Sequence, residues 1–401
     1  MKVVVAHHLW SRVGGGELVN AYVVKTLLEA GHEVIAVSTF NFEKEKYREW
    51  FGVDLEDTKT YSLLPKMLPL FGIYQRLGIF IPLSKAIEKE KPDAVFIDCE
   101  LYKPVLKLKE RVGFRLLEYI HFPFHAFLKL KTNLLRNILD RAWIEYWEYH
   151  RKYDKGFWKP YFKLWLKLFN KVARDNPFEV ADIVMVNSRY IATLVKKLWG
   201  SEPVVLNPPV RVRDFEPYAR RPFEKRDNAI VMIGRISPEK RIEDVIDAIA
   251  LTETKPALRV VGGLIQSAVP YKKSLERMAK KKGVKIEFYP NVSREELVKI
   301  ATSSKVFVHA TVGEHFGIAV VEGIAAGCPV IVHRSGGPYV DITNFGVYGL
   351  SYNSIGELAK HIDRLLTDPK FWRHYHEKSL SRAPAFSESE FSRKLLKVIE
   401  G

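Results

Sequence analysis

The sequence has little cysteine and no long apolar run. Its two cysteines, Cys99 and Cys328, are too few for a disulfide scaffold or a multi-cysteine zinc site, and they fit a reducing compartment. No stretch of 18 or more uncharged apolar residues occurs among the 401 residues, so we expect no membrane-spanning helix. The opening MKVVVAHHLW lacks the longer apolar stretch and the small-residue cleavage site of a secretory signal. We interpret it as a buried first strand.

Acidic residues are outnumbered by basic ones. Lysine and arginine total 63 against 47 aspartates and glutamates, which gives a net charge of +16. Such an excess attracts polyanions, which include nucleic acid, anionic lipid and phosphorylated substrates. A basic nucleic-acid-binding protein is therefore one hypothesis, but no nucleic-acid-binding motif accompanies the charge.

Strand-like and helix-like segments alternate twice along the chain, which is too long for one typical domain. The first series of strands reads VVVAHHL, EVIAVST, AVFID, RLLEYIHF and DIVMVNS. The second reads NAIVMIGRIS, LRVVGGL, KIEFYPNVS, KVFVHATV and PVIVHRSGG. This alternation predicts two α/β domains, each a doubly wound parallel sheet covered by helices. Two such domains imply a cleft in which ligands meet the carboxyl ends of the strands.

Composition also sets the predicted domain boundaries. We predict an N-terminal domain at residues 1–206 and a C-terminal domain at 227–375. Residues 207–226 hold four prolines and six basic residues and are the predicted linker. Residues 376–401 are a predicted C-terminal helix, which we expect to pack back toward the N-terminal domain. An insert at 122–178, rich in aromatic and basic residues, interrupts the alternation.

Part of the insert is predicted to be an amphipathic helix. In WKPYFKLWLKLFNKV, one predicted face is apolar and comprises Tyr161, Leu164, Trp165, Leu168 and Phe169. Lysines recur every four residues on another side. This pattern is typical of a helix at a membrane interface, but a helical lid packed on the core would explain it equally well. The predicted membrane-contact residues are Trp158, Tyr161, Lys163, Trp165 and Lys167.

Two loops that follow predicted strands carry candidate phosphate-binding residues. In SRVGGGE, Gly15 and Gly16 let a ligand approach the backbone at the start of a helix, where an anion is favoured. That loop matches neither GxGxxG nor a Walker A motif, and a tight structural turn is the alternative. In GRISPEKR, Arg235 and Lys240 lie on one loop, where two cations suit a diphosphate, although surface loops are often basic.

A third loop, GEHFGIAVVEGIAAGCPVIVHRSGGP, holds Glu314 just before a predicted helix and Glu322 inside it. The amides of Phe316, Gly317 and Ile318 lie at the start of that helix, where they are available to a phosphate. Carboxylates accept hydrogen bonds from vicinal hydroxyls. One ligand with a sugar, a diphosphate and a ribose could bind to Glu314, to these amides and to Glu322 together. The alternative is that the glutamates are solvated or cap the helix.

Together these motifs carry a family resemblance. Glu314 and Glu322 with seven residues between them, the loop from Arg235 to Lys240 and the glycine-rich loop resemble the retaining family 4 glycosyltransferases of the GT-B fold. The segments EHFGIAVVEGIAAGCPVIVHRSGGPYVDI, EYIHFP, ADIVMVNSRYIATLVKKLWG and VVLNPP are similar to α-1,2-mannosyltransferases that extend dolichol-linked oligosaccharide from GDP-mannose. The resemblance implies two Rossmann-like domains facing a central cleft, an N-terminal one for the acceptor and a C-terminal one for the nucleotide sugar.

The resemblance also implies roles for individual residues. Gly15 and Gly16 would line the cleft beside the diphosphate and the acceptor. His121, in EYIHFP, would contact the donor sugar. Arg235 and Lys240 would hold the diphosphate and stabilise the leaving nucleotide.

In the third loop, the resemblance assigns the sugar hydroxyls to Glu314 and the ribose to Glu322. It implies a retaining hexosyltransferase that needs no cofactor and no metal ion, and no DxD motif stands out in the sequence. Mannose would pass from GDP-mannose to a lipid-linked, dolichol-type saccharide. The enzyme would lie peripherally at the cytoplasmic face of an anionic membrane. It would have no nucleic-acid partner. Another nucleotide sugar, such as UDP-glucose, with a soluble or different lipid acceptor is the alternative.

Overall fold

The computed structural model of the chain describes residues 1–68, 72–98, 102–123, 156, 158–173 and 176–401. Most of the predicted insert therefore lies outside the described residues. The chain forms two compact units. The N-terminal domain comprises the described residues up to Pro209 together with Phe391–Gly401, and the C-terminal domain comprises Val210–Glu390.

The N-terminal domain is built on a sheet of parallel strands. The strands are β1 (Lys2–Ala6), β2 (Glu33–Phe40), β3 (Lys59–Leu64), β4 (Ala94–Ile97), β5 (Arg115–Ile120), β6 (Ile183–Val186) and β7 (Val204–Val205). The helices in the described ranges are α1 (Gly15–Glu29), α2 (Lys46–Phe51), α3 (Gly72–Arg76), α4 (Phe80–Glu90), α5 (Lys103–Val112), α6 (Trp158–Val172) and α7 (Arg189–Trp199). The strand order is β3-β2-β1-β4-β5-β6-β7, so the order reverses between β1 and β4. Val3, Val4 and Val5 are fully buried, as expected for a central strand covered on both faces.

The C-terminal domain repeats this plan. Its strands are β8 (Asp227–Ile233), β9 (Ala257–Gly262), β10 (Ile286–Pro290), β11 (Ser304–His309), β12 (Val330–His333) and β13 (Leu350–Tyr352). Its helices are α8 (Glu216–Ala219), α9 (Ile242–Leu251), α10 (Val269–Lys281), α11 (Arg294–Ser303), α12 (Ile318–Ala325), α13 (Ile355–Thr367) and α14 (Pro369–Arg382). The parallel strands follow the order β10-β9-β8-β11-β12-β13, which reverses between β8 and β11. The two doubly wound sheets confirm the predicted fold class.

Two stretches outside the regular alternation contribute to the cores. Residues 210–226 belong to the predicted linker, yet Val210 and Phe215 are buried in the core of the C-terminal domain. The last helix, α15 (Glu388–Glu400), places Leu395 and Ile399 in the core of the N-terminal domain. Arg115 of β5 donates a hydrogen bond to the carbonyl oxygen of Ile399 at 2.7 Å. The N-terminal domain therefore includes the end of the chain.

Helix α6 is amphipathic, but its buried face differs from the predicted one. Phe162, Trp165 and Phe169 are buried, and the indole nitrogen of Trp165 donates a hydrogen bond to a backbone carbonyl 2.9 Å away. Leu164 and Leu168 are exposed instead. The predicted membrane contact of Trp165 is therefore wrong, because tertiary packing selects the spacing of residues 162, 165 and 169. Across the described ranges, no helix combines the length and the apolar character needed to cross a membrane.

Candidate active site

In the N-terminal domain, polar side chains meet at the carboxyl ends of three neighbouring strands. His7 follows β1, Asp98 follows β4 and His121 follows β5. Asn20 and Glu17 of α1 join them from the helix that follows β1. We call these five residues the N-terminal cluster. It lies where the strand order reverses, which is where ligands bind in open α/β sheets.

The Asp98 carboxylate lies at the centre of the N-terminal cluster and is fully buried. It accepts hydrogen bonds from His7 Nδ1 at 2.8 Å, Asn20 Nδ2 at 2.6 Å and His121 Nε2 at 2.9 Å. Burial by itself raises the pKa of Asp98, but His7 and His121 hold it well below its usual range. An ionised carboxylate only accepts hydrogen bonds, so both imidazoles donate to it. Asp98 thereby orients the His121 ring.

His7 lies between two carboxylates. Its Nδ1 contacts Asp98, and its Nε2 lies 3.7 Å from Glu17 Oε1. Burial lowers the pKa of His7, but Asp98 and Glu17 together raise it to about 10. His7 is therefore a cation at neutral pH, which offsets part of the negative charge of the two acids.

The glycine-rich loop lies directly against the N-terminal cluster. A Cβ atom on Gly16 would lie 3.3 Å from His7 Cε1 and 3.6 Å from His121 Nε2, so a larger residue there would press on His7. The Glu17 carboxylate lies close to Gly14, the residue that precedes α1. The Glu17 side chain therefore lies beside the helix start at which the sequence predicts a ligand anion.

In the C-terminal domain, an ion pair lies beyond the ends of β8 and β11, where the strand order reverses. Lys240 Nζ donates a hydrogen bond to Glu314 Oε2 at 2.7 Å, and His309 Nε2 lies 3.4 Å from the same oxygen. Burial raises the pKa of Glu314, but Lys240 and His309 hold it well below its usual range. The structure does not bring Arg235 to this pair. Its side chain is 76% exposed and contacts Glu239 at 3.2 Å.

The backbone around Glu314 is held by the segment that follows β12. The amide of Gly337 donates a hydrogen bond to the carbonyl oxygen of Glu314 at 2.8 Å, and Ser335 Oγ accepts one from the amide of Gly313 at 3.0 Å. A Cβ atom on Gly336 would lie 2.4 Å from the Glu314 carbonyl oxygen, and Gly336 also has φ of +76°. Glycine is therefore required at position 336 for this close approach.

The helix after Glu314 begins as the sequence predicted. Gly317, in the left-handed conformation with φ of +99°, precedes α12, and its carbonyl oxygen accepts the amide of Val320 at 2.8 Å. Within the described part of the chain, no group accepts a hydrogen bond from the amides of Phe316, Gly317 or Ile318. Backbone amides without an intrahelical acceptor at the start of a helix can stabilise an anion.

Glu322 lies inside α12 and has a cationic partner. Arg294, the first residue of α11, donates a hydrogen bond to Glu322 Oε1 and a second one to Asp214 Oδ2 at 2.8 Å. The Glu322 side chain is only 12% exposed, so the ion pair compensates much of the cost of burying its charge.

Sequence reasoning missed several members of these sites. The missed residues are His7, Asp98 and Asn20 in the N-terminal domain and His309 and Arg294 in the C-terminal domain. His7, Asp98 and His309 share one signal, since each is a polar residue at the end of an apolar strand. Within the described ranges, no three His, Cys, Asp or Glu side chains are grouped so as to hold a metal ion.

Comparison with known families covers both domains. Residues 13–212 match Glycosyltransferase Family 4, and residues 216–382 match Glycosyl transferases group 1. The chain belongs to these glycosyltransferases. The two matches take in Gly15 and Gly16, Asp98 and His121, Lys240 and both glutamates, whereas His7 precedes the first match.

The glycosyltransferase has relatives of similar sequence. GDP-Man:Man(3)GlcNAc(2)-PP-Dol alpha-1,2-mannosyltransferase of Xenopus laevis is 30% identical over 232 residues, which are 54% of this chain and 48% of that protein. The human protein of the same name is 30% identical over 240 residues, which are 55% of this chain and 48% of the human one. This glycosyltransferase thus spans about half the length of the curated relatives it matches.

Solved structures resemble the glycosyltransferase over its whole length. HepE of Anabaena, in complex with UDP and glucose, is 16% identical with a TM-score of 0.67, and the match covers 100% of each chain. WaaG, a glycosyltransferase involved in lipopolysaccharide biosynthesis, is 15% identical with a TM-score of 0.68 and the same coverage. These similarities show the fold, which is GT-B.

Proposed function

We propose that the chain is a retaining hexosyltransferase that moves mannose from GDP-mannose to a lipid-linked, dolichol-type saccharide. The contact between Lys240 and Glu314 beside the start of α12 carries this proposal. At this point, where the strand order reverses, a cation and a carboxylate lie beside backbone amides that donate to none of the described residues. The names of the frog and human relatives, which give GDP-Man and a PP-Dol saccharide, support the choice of donor and acceptor.

The proposed chemistry follows from the charge that develops during transfer. Breaking the bond between sugar and phosphate leaves negative charge on the nucleotide, while the sugar becomes oxocarbenium-like. Lys240 and the amides of Phe316, Gly317 and Ile318 would stabilise that leaving group electrostatically, and Arg235 would add a second cation from its exposed position. We propose that these groups act without a metal ion or a cofactor.

The sugar and the ribose would be held by the remaining assigned residues. Glu314 would accept hydrogen bonds from sugar hydroxyls, Glu322 would accept them from the ribose and His121 would contact the sugar. We assign no carboxylate as a nucleophile. In a transfer on the same face of the sugar, the donor phosphate would take the proton of the acceptor hydroxyl. Gly15 and Gly16 would allow diphosphate and acceptor to approach the backbone.

We place the enzyme peripherally at the cytoplasmic face of an anionic membrane. On α6, Trp158, Lys163 and Lys167 are exposed, and so are Leu164 and Leu168. Lysines attract anionic lipid, and the apolar side chains can enter the interface. Tyr161 is half-buried, with its ring centroid 4.9 Å from that of another tyrosine, and it would contribute only an edge.

A thermal-shift and transfer experiment tests the donor and the site together. A nucleotide sugar at a hundred times its dissociation constant adds about 2.7 kcal/mol to the free energy of unfolding. We expect GDP-mannose to give this shift, and we expect Glu314→Ala to lower mannosyl transfer by at least about a hundredfold. Glu295→Ala is the matched control, because Glu295 is an exposed carboxylate paired with Lys299 in the same domain. Transfer by Glu314→Ala at the wild-type rate would contradict the site assignment.

A second candidate keeps the reaction but changes the donor. HepE was solved with UDP and glucose, which favours a UDP-sugar as the donor. In this alternative, the acceptor would be a soluble molecule or a different lipid. A thermal shift with UDP-glucose and none with GDP-mannose would select this candidate. We propose no nucleic-acid partner. Salt-sensitive binding to RNA, without a shift by any nucleotide sugar, would favour a nucleic-acid-binding protein over both.

A further inference from the structure

Arg294 lies beside Glu322, and neither its sequence position nor the family comparison assigns it a role. Besides its hydrogen bonds to Glu322 and Asp214, its guanidinium group lies over the ring of Phe215, 4.9 Å from the ring centroid. A third nitrogen, Nη2, lies 3.4 Å from the carbonyl oxygen of Arg211. The side chain is thus held from several directions by groups that lie far from it in the sequence.

These contacts fix the orientation of a rigid group. A guanidinium group is planar, and an aromatic face together with two carboxylates leaves it little freedom to rotate. Burial lowers the pKa of Arg294, but Glu322 and Asp214 raise it above its ordinary value, so the side chain stays charged. A fixed cation in turn fixes the carboxylate of Glu322.

The hold on Glu322 uses only one of its two oxygens. Arg294 contacts Oε1, and none of the described residues donates a hydrogen bond to Oε2. A carboxylate oxygen accepts hydrogen bonds from vicinal hydroxyls, such as the 2′ and 3′ hydroxyls of a ribose. Losing Arg294 would leave the carboxylate charged, poorly compensated and free to turn.

We propose that Arg294 is a positioning residue for nucleotide binding, which holds Glu322 through Oε1 so that Oε2 receives the ribose hydroxyls. This inference rests on the proposed role of Glu322 in ribose binding. It goes beyond that role because it makes ribose recognition depend on a residue of α11, outside the loop that carries the two glutamates. A purely structural ion pair is the competing explanation, and removing the ribose hydroxyls from the ligand distinguishes the two.

The test measures nucleotide affinity by calorimetry for the wild type, Arg294→Gln and Arg294→Lys. The ligands are GDP and 2′,3′-dideoxy-GDP, with UDP and 2′,3′-dideoxy-UDP in parallel. We expect Arg294→Gln to weaken GDP binding about ten- to a hundredfold, since a hydrogen bond to a charged group is lost. We expect wild type and variant to bind dideoxy-GDP equally within about twofold, because the hydroxyls that Glu322 serves are absent. Arg294→Lys keeps the positive charge but lacks the planar guanidinium group, so its loss of affinity for GDP should be smaller than that of Arg294→Gln.

Two results would overturn the inference. One is an equal loss of affinity for GDP and for dideoxy-GDP, which would mean general damage to the site. The other is an affinity of Arg294→Gln for GDP equal to that of the wild type. The matched control is Arg259→Gln, because Arg259 also joins two carboxylates, Asp227 at 2.8 Å and Glu287 at 3.3 Å, near the amino ends of the strands. It should leave nucleotide affinity unchanged.

The design separates this inference from the proposed function. If the wild type binds UDP and not GDP, the proposed donor is wrong, and the UDP pair then decides the role of Arg294 by the same criteria. Wild type that binds neither nucleotide would overturn both proposals. Thermal unfolding of each variant checks the fold. If Arg294→Gln unfolds, the affinities of Arg294→Lys for GDP and dideoxy-GDP decide by the same criteria. A second comparison adds Glu322→Gln to the wild type and to Arg294→Lys, and we expect these two proteins to bind GDP with equal affinity.

Discussion

Asp98 illustrates how one buried carboxylate organises the residues around it. It accepts hydrogen bonds from His7, Asn20 and His121, so its removal leaves a buried cation and several donors without an acceptor. We expect Asp98→Ala to lower the free energy of opening of the N-terminal domain by about 3–5 kcal/mol. Hydrogen exchange of the β1 and β4 amides measures this quantity.

The control for Asp98 is Asp54→Ala, which removes an exposed carboxylate paired with Arg48 in the same domain. It should change the exchange of the β1 and β4 amides little, because exposed pairs are screened by solvent. Equal effects of the two substitutions would mean that the charge of Asp98 is not the organising element.

His7 makes the stability of the N-terminal domain depend on pH in the alkaline direction. Its pKa rises from 6.5 to about 10 in the folded state, so the folded protein binds this proton more tightly than the unfolded chain. The contribution is fully present below about pH 6.5 and is lost as the pH rises toward about 10. We expect the opening free energy at β1 to fall over this range in the wild type and to fall less in His7→Gln.

His374→Gln serves as the control for that pH profile, because His374 lies exposed on α14 in the C-terminal domain. Its profile at β1 should follow that of the wild type. A His7→Gln profile as steep as that of the wild type would show that other groups carry the alkaline dependence.

Helix α6 is the secondary-structure element that we expect to contact a membrane. Its buried aromatic face packs on the N-terminal domain, and its exposed lysines and leucines remain for a surface. We expect Lys163→Glu combined with Lys167→Glu to weaken flotation with anionic vesicles at low salt by at least about tenfold, since each basic residue near such a surface contributes about 1 kcal/mol.

A matched pair of charge reversals on α10, Lys280→Glu with Lys281→Glu, tests whether total charge explains vesicle binding. Both lysines are exposed on a helix of the C-terminal domain. Flotation with these reversals should equal that of the wild type. Equal losses for the two pairs would indicate a non-specific effect of net charge and would contradict the role of α6.

At the scale of the whole molecule, the chain begins and ends in the same domain. Leu395 of α15 is fully buried in the N-terminal core, although the C-terminal domain separates it in sequence from the rest of that core. We expect Leu395→Ala to lower the opening free energy of the N-terminal domain by about 2–5 kcal/mol. Hydrogen exchange should change in β1 and β5 and stay unchanged in β8 and β11.

Lys397→Ala, an exposed substitution in the same helix, is the control for Leu395→Ala and should leave both domains unchanged. Loss of protection in β8 and β11 to the same degree as in β1 would contradict the assignment of α15 to the N-terminal core.

Much of the fold was predictable because its signals are local. Apolar strands alternate with helical patterns and glycine-rich or basic loops, so the sequence predicts parallel sheets and indicates which loops lie at the strand ends. The two glutamates were placed correctly before and inside α12 for the same reason. Their assigned ligands stay predictions, since position along the chain does not identify what a side chain binds.

The contacts of individual side chains within a loop or a helix were harder to predict from the sequence. Arg235 and Lys240 are equivalent cations in the sequence, yet only Lys240 contacts Glu314. Trp165 belongs to two helical faces that overlap in their spacing, and packing decides which one is buried. Such choices depend on neighbours from other elements, which local periodicity does not contain.

The amino-acid pattern alone predicts the alternation of elements, the two doubly wound domains and the placement of the glycine-rich, basic and glutamate-bearing loops at strand ends. These features follow from hydrophobic periodicity and turn chemistry within short windows. The folded chain adds three pairings: Asp98 with His7, 91 residues away, Arg294 with Glu322, and α15 with the N-terminal core. The pairing of Asp98 with His7 depends on strand order, which brings the ends of the non-consecutive strands β1 and β4 side by side. The other two pairings depend on packing between helices and their neighbours, which short windows of sequence do not contain.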